Sequence, residues 1–262
     1  MSTNTAPVAP RLAATILILR DTPQGLEVLM VVRHHEVDFL SGALVFPGGK
    51  LAKGDEDPRV RARCSGVENL PFEQVAMRVG AIREAFEESG ILLARERGAT
   101  ALLGAARATQ LADRYGQQLG GGAMGIADLL EAEDLVLACE TLVPFARWIT
   151  PTFVPKRFDT YFYLAAAPAE QIAVHDGKEM VEAQWIRPAD ALADQASGKR
   201  KIVTATLLNL RKLNRSFTVS AAIDAARARP VVTVLPELVE RPRGRVLLIP
   251  EAADYGVTEH PL

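Results

Sequence analysis

Three glutamates within five residues are the densest chemical signal in this sequence: Glu84, Glu87 and Glu88, in the run Arg83-Glu84-Ala85-Phe86-Glu87-Glu88-Ser89-Gly90. Helical positions i, i+3 and i+4 share one face, so on a helix the three carboxylates project side by side. Their mutual repulsion has two answers. A solvated helix face tolerates it at roughly a few tenths of a kcal/mol per like-charge pair, with Arg83 pairing Glu87 one turn on. A hard cation is the other answer. Magnesium takes oxygen ligands in octahedral geometry, usually keeps some waters, and completes its shell with substrate phosphates. In that case the chemistry is hydrolysis at phosphorus: a bound water made acidic, and a carboxylate to take its proton.

Those side chains must be positioned by the elements around them. Phe72, Val75, Ala76, Val79, Ile82 and Phe86 recur at three- and four-residue steps, the buried stripe of a helix, with Pro71 in its first turn and Gly90 as its stop. Upstream, residues 13–19 and 26–32 are β-rich apolar runs joined as a hairpin through Asp21-Thr22-Pro23-Gln24-Gly25. Phe46-Pro47-Gly48-Gly49 reads as a turn whose glycines admit a close ligand. Residues 50–70, charged and broken by Gly54, Pro58 and Gly66, read as an exposed loop. Residues 98–138 read as two short helices around Gly120-Gly121-Gly122, with no chemistry to name. Strands are expected at 141–149, 160–165 and 181–186, then a short helix at 189–193. Beyond Gly198, helices at 202–213 and 221–226 and strands at 231–235 and 246–249 form a C-terminal extension. Strands flanked by helices imply an α/β or α+β layered domain.

Composition narrows the classes of function. A formal net charge of −2 and a pI near 6.1 offer no basic surface for a nucleic-acid polymer. Two cysteines, Cys64 and Cys139, far apart in sequence, make neither a disulfide framework nor a zinc site, and a reducing, cytoplasmic setting fits best. The first residues lack a basic start and a long apolar stretch, and no apolar run approaches the roughly 20 residues of a membrane span, so neither secretion nor membrane insertion is expected.

Gly49 and the REAFEESG run together resemble the Nudix box, G-x5-E-x7-R-E-U-x-E-E-x-G-U with U apolar. Gly49 matches the leading glycine. Arg83, Glu84, Ala85, Glu87, Glu88, Gly90 and Ile91 match the second half in order and spacing. There are two departures. The first glutamate position holds Asp55, with Glu56 beside it, and the gap from there to Arg83 is much longer than the box allows. The added length lies in the segment already read as a loop, about 56–70, where an insertion costs only about 0.6 kcal/mol per doubling of loop length. Two readings of Asp55 stay open: it orients the helix, as the family's first glutamate does, or it is a solvated loop acid. The match resembles most the subgroup with an expanded box that includes peroxisomal coenzyme A diphosphatases, through the approach Phe39-Leu40-Ser41-Gly42-Ala43-Leu44-Val45 and through Arg147-Trp148-Ile149-Thr150-Pro151.

The resemblance implies a Nudix-type α-β-α sandwich with a mixed sheet over residues 10–197, and an extension over 198–262 packed on the core or on a homodimer partner. It implies Mg2+ or Mn2+ held by Glu84, Glu87 and Glu88 with the Gly49 carbonyl, Glu84 or a downstream acid as base, and Arg83 fixing the glutamates. The expected substrate is a small nucleotide-like diphosphate. Coenzyme A or acyl-coenzyme A is preferred; NADH, ADP-ribose and dinucleoside polyphosphates are alternatives, as is a non-catalytic nucleotide-binding module. Lys156, Arg157 and Phe158 can grip phosphates and stack a base, or be strand-edge charge and core aromatics. Glu179 and Glu182 can supply the downstream acid or solvate a turn. His34 and His35 suit a surface or substrate-edge role, and Trp148 and Trp185 suit the core.

Overall fold

The computed structural model describes residues 8–34, 42–171, 173–175 and 180–262. Alternation along its first strand, β1 (Arg11–Thr22), sets two layers at once. Ala14, Ile16 and Ile18 enter one buried apolar cluster, Leu17 and Leu19 the other. After the turn at Pro23 and Gln24, β2 (Gly25–Arg33) does the same, with Leu29 in the first cluster and Val28, Met30 and Val32 in the second.

Short strands β3 (Leu44–Val45) and β4 (Gly48–Lys50) follow, then a 3-10 turn (Lys53–Glu56), α1 (Pro58–Arg61) and α2 (Phe72–Ser89). Next come β5 (Ala94–Glu96), α3 (Ala105–Gly120), α4 (Ile126–Ala132), β6 (Leu135–Leu137), β7 (Val143–Ile149), β8 (Phe158–Ala166), β9 (Met180–Ile186) and α5 (Pro188–Ala196). The chain ends with α6 (Thr204–Leu213), α7 (Val219–Arg227), β10 (Thr233–Val234), β11 (Glu237–Arg241), β12 (Gly244–Leu248) and β13 (Glu259–Pro261).

The main sheet runs β10-β7-β8-β1-β2-β3, with β4 on β1 and β9 on β2. It is mixed: β1 and β8 are parallel, β7 and β8 antiparallel. The helix α2 and its neighbours α3 and α4 cover one face, and α5, α6 and α7 the other, which makes the expected α-β-α sandwich. Leu207, Leu208, Leu210 and Leu213 of α6 fill the second face, and β10 pairs with β7.

One detail of register creates the site. The edge of β1 that faces β2 is divided: residues 19–22 pair with β2, whereas Ala13, Ala14 and Thr15 pair with Lys50, Gly49 and Gly48 of β4. The hairpin opens, and the two glycines occupy the gap. They form a strand rather than the expected turn, because their peptides complete a ladder on β1.

The segment 50–70 is likewise not an exposed loop. Asp57 accepts from the Arg59 N–H (2.9 Å) to cap α1, Pro58 sits at its first position, and Asp55, Val60 and Val67 are buried. Its apolar residues are too sparse to show a period, so burial here depends on tertiary contacts. Phe72, assigned to the buried stripe, is 44% exposed at the first turn of α2. The two helices of 98–138 are present, bracketed by the unexpected antiparallel pair β5-β6. Cys64 and Cys139 are free thiols that meet: a hydrogen bond with Cys64, together with burial, raises the Cys139 pKa.

Candidate active site

Helix α2 ends where the sheet opens. Gly90 caps it in the left-handed conformation (φ 70°), its N–H donating to the Phe86 carbonyl (2.9 Å), so the acidic turn stops beside β4. Glu88 is 3% exposed and accepts from the Gly48 N–H (2.9 Å). The Glu84 carboxylate lies against Gly49, where a Cβ would meet its Oε1 at 2.5 Å. A side chain at 49 would displace that carboxylate. The glycine is required by close approach, the role expected of it for a ligand and here filled by the protein's own glutamate.

Arg83 is the hub beneath the cluster. Its Nε donates to Asp55 Oδ1 (2.7 Å), and its Nη2 to Asp55 Oδ2 (2.9 Å) and to the Lys50 carbonyl (3.0 Å). Its Nη1 reaches Glu87 Oε1 (3.2 Å) and Glu84 Oε1 (2.9 Å). Burial opposes the charge on Arg83, but Asp55, Glu84 and Glu87 outweigh it and raise its pKa. Of the two readings of Asp55, the structure holds the buried one. Its carboxylate is fully covered, accepts from the Ala52 N–H (2.8 Å) and orients Arg83. Gly80 on α2 leaves the space, since a Cβ there would stand 3.1 Å from Asp55 Oδ2.

The Glu84 carboxyl is pushed up to about 7 by burial, with the Glu87 charge adding to the rise and Arg83 opposing it. A carboxyl poised there changes charge near neutral pH, and a cation at this position would favour its ionised form. The three glutamates supply hard oxygen donors, the chemistry that suits Mg2+ or Mn2+. Among the described residues, no group of three or more acidic, histidine or cysteine side chains is gathered closely enough to hold a metal ion by itself. Glu84 and Glu87 share Arg83 Nη1 while Glu88 holds the Gly48 N–H, an arrangement that fits an ion sharing its shell with water and substrate rather than one enclosed by protein.

These residues line a cleft of about 1900 Å³ that runs across the end of the sheet. Its lining includes Gly48, Gly49, Glu84, Glu87 and Glu88 as well as the apolar Trp148, Ile149, Phe153 and Phe162. Lys156 and Phe158 also line it, but Arg157 does not: it is buried and donates from Nε to the Thr150 carbonyl (3.0 Å) and from Nη1 to the Val8 carbonyl (2.7 Å). Backbone acceptors hold it, so the structure does not bring it to the other two. Glu182 pairs with Arg200 (2.7 and 2.9 Å), and Trp185 carries the Arg20 guanidinium 4.4 Å above its ring. Trp148 is buried and donates to the Tyr255 hydroxyl (2.7 Å). His35, Phe39 to Ser41 and Glu179 lie outside the described residues. One wall went unforeseen: Gln117, Gly120, Gly121 and Gly122 at the end of α3 line the cleft. The triple glycine was the available signal, read only as a flexible break.

Comparison with known proteins agrees with this geometry. Residues 57–213, more than half of the chain, match the NUDT19 Nudix domain family. The acyl-coenzyme A diphosphatase NUDT19 of Xenopus laevis is 24% identical over 225 residues, covering 71% of this chain and 59% of that protein. That of Homo sapiens is 28% identical over 212 residues, covering 64% and 55%. The chain therefore spans less than two thirds of the length of these curated relatives. A crystal structure of a NUDIX hydrolase from Alicyclobacillus acidocaldarius has the same fold, with a TM-score of 0.72 at 28% identity over 83% of this chain and 96% of that one. A mixed-sheet sandwich, an acidic helix end held against two glycines and a family match over 157 residues lead to one assignment: the chain belongs to the Nudix hydrolase family, close to its NUDT19 group.

Proposed function

We propose that the protein is a metal-dependent diphosphatase that cuts the diphosphate linkage of coenzyme A or an acyl-coenzyme A. The observation that carries the reading is the Glu84 carboxylate pressed on Gly49 beside Glu87 and Glu88, at the wall of a cleft large enough for a nucleotide with a long substituent. Glu84, Glu87, Glu88 and the Gly49 carbonyl would hold Mg2+ or Mn2+. A cation held there would neutralise phosphate oxygens and lower the pKa of a bound water. Glu84, beside the bound water, would be the carboxylate placed to take the proton of the attacking water. Arg83, anchored by Asp55, keeps Glu84 and Glu87 in place and itself contacts no substrate.

The substrate assignment rests on two supports. The relatives named above are acyl-coenzyme A diphosphatases, and the cleft is lined by apolar as well as acidic residues, among which Ile149, Phe153 and Phe158 can receive a pantetheine or acyl chain. Within this reading residues 10–197 are the Nudix domain and 198–262 an extension that closes the second face of the sheet. Free thiols at Cys64 and Cys139 suit a reducing compartment such as the cytoplasm. No helix among the described residues is long and apolar enough to cross a membrane.

The test is a panel of coenzyme A, acyl-coenzyme A, NADH, ADP-ribose and dinucleoside polyphosphates with Mg2+ or Mn2+, products resolved chromatographically, for wild type and Glu84→Gln. Fastest turnover is expected with coenzyme A or its acyl form, giving a 3′-phosphorylated adenosine monophosphate and a phosphopantetheine product, and Glu84→Gln is expected to be nearly inactive. Preference for another compound would reassign the substrate, and equal rates from both proteins would remove the catalytic assignment.

A further inference from the structure

A diphosphate in the cleft would need cationic donors that the acidic helix does not supply. A diphosphate brings negative charge to a wall of three glutamates, and the arginine nearest that wall is occupied: every Arg83 nitrogen holds a protein acceptor. Arg157 is held by backbone carbonyls. Arg11 and Lys50 line the cleft with their residues exposed, where water satisfies a cation.

Arg33 differs. It is the last residue of β2 and lines the same cleft. Its backbone is fixed on both sides, its N–H donating to the Ala43 carbonyl (3.2 Å) and its carbonyl accepting from the Gly42 N–H (3.2 Å). The pairing with β9 shifts register between Val32 and Arg33, a bulge of the kind that re-aims a side chain at a strand end. The guanidinium Nε is shut off from solvent and has no hydrogen-bond partner. A buried charged donor left unmatched is rare and calls for a ligand that completes it. A planar guanidinium fork on a residue that lines this cleft is matched by phosphoryl oxygens.

We propose that Arg33 is a substrate-binding residue that donates to a phosphoryl oxygen of the nucleotide and so selects for the diphosphate. The proposal rests on the diphosphatase reading above but makes a separate claim. The carboxylates organise the reacting phosphorus; Arg33 provides the compensating positive charge that Arg83, locked beneath them, does not.

Binding and turnover separate the two claims. Titration calorimetry with the non-hydrolysable α,β-methylene-ADP and Mg2+ is run on wild type, Arg33→Met and Arg33→Lys, alongside coenzyme A hydrolysis and thermal melts. Arg33→Met is expected to weaken α,β-methylene-ADP at least about tenfold and to raise KM more than it lowers kcat, and Arg33→Lys to recover part of the loss. Melting temperatures at or above wild type are expected for Arg33→Met, because it removes an unmatched donor. If wild type turns over coenzyme A while Arg33→Met binds and hydrolyses as wild type does, Arg33 is not a ligand and the diphosphatase reading stands. If wild type shows no turnover but Arg33→Met still loses α,β-methylene-ADP, the catalytic reading fails and the Arg33 site stands. No binding of α,β-methylene-ADP by wild type overturns the Arg33 site, and coenzyme A turnover alone then decides the diphosphatase reading.

Discussion

Replacing Asp55 probes the part of the site that departs most from the family pattern. Asp55→Ala removes one acceptor residue from three hydrogen bonds: two from Arg83 (2.7 and 2.9 Å) and one from the Ala52 N–H (2.8 Å). Asp55 is fully covered and the Arg83 side chain only 8% exposed, so water cannot replace the lost carboxylate. Breaking a buried pair by deleting one partner costs about 3–5 kcal/mol. Arg83 keeps Glu84, Glu87 and the Lys50 carbonyl, which places the expected loss at the lower end, about 3 kcal/mol. At roughly 2–4 °C per kcal/mol for a chain of this size, the melting temperature falls by about 6–12 °C. Activity falls further than stability explains, because a released Arg83 is free to draw Glu84 off Gly49. Urea unfolding followed by Trp148 and Trp185 fluorescence measures the loss, and a double-mutant cycle with Arg83→Met measures the coupling. Destabilisation under about 1 kcal/mol together with a coupling near zero would refute the buried-pair argument.

Three further outcomes follow from the same geometry. The Glu84 carboxyl moves from an ordinary 4.5 to about 7 in the folded metal-free protein, so its protonated form favours folding. The resulting penalty on ionisation is absent below pH 4.5, grows as pH rises through 7, and reaches about 3 kcal/mol above it. Metal-free Glu84→Gln is therefore expected to match wild type in urea unfolding at pH 4.5 and exceed it at pH 8, and a parallel pH dependence of the two proteins would contradict this. Gly49→Ala drives a Cβ to 2.5 Å from Glu84 Oε1; kcat is expected to fall about 100-fold from the displaced carboxylate while the protein stays folded by circular dichroism. Tyr255→Phe removes the hydroxyl that accepts from Trp148 Nε1 and donates to Asn209 Oδ1, both at 2.7 Å, beside an Asn209 Nδ2 that already lacks a partner. A loss of about 2–3 kcal/mol is expected in chemical denaturation, and a neutral result would show that this network does not hold the C-terminal residues to the sheet.

Helix α2 and its acidic turn were legible because a period of 3.6 leaves a mark in any sequence: Val75, Val79, Ile82 and Phe86 point one way, Glu84 and Glu87 another. The hairpin and strands β7 to β9 were legible for the matching reason, alternation between two buried faces. Asp55 was legible only as one of two readings, because nothing periodic connects it to Arg83, 28 residues on; their pairing is a tertiary fact that the missing Cβ of Gly80 leaves room for. The same holds for Arg157, whose type and neighbours suggested phosphate and whose partners proved to be carbonyls at Thr150 and Val8. Gly48 and Gly49 were read as a turn open to a close ligand; what approaches Gly49 is the Glu84 carboxylate, and the ladder with β1 that makes them a strand depends on the hairpin opening, which no local signal announces. The α3 end escaped notice because glycines that line a cleft and glycines that break a helix look alike in one dimension.

The proposed function stands on the end of α2 gathering carboxylates into a cation site that would face the diphosphate. Electron paramagnetic resonance of Mn2+ titrated into wild type and Glu84→Gln at pH 8, with and without α,β-methylene-ADP, tests it without requiring turnover. Saturable binding by wild type that tightens with the nucleotide is expected, with at least tenfold weaker binding by the variant. Equal Mn2+ affinity in the two proteins, or binding indifferent to the nucleotide, would contradict it.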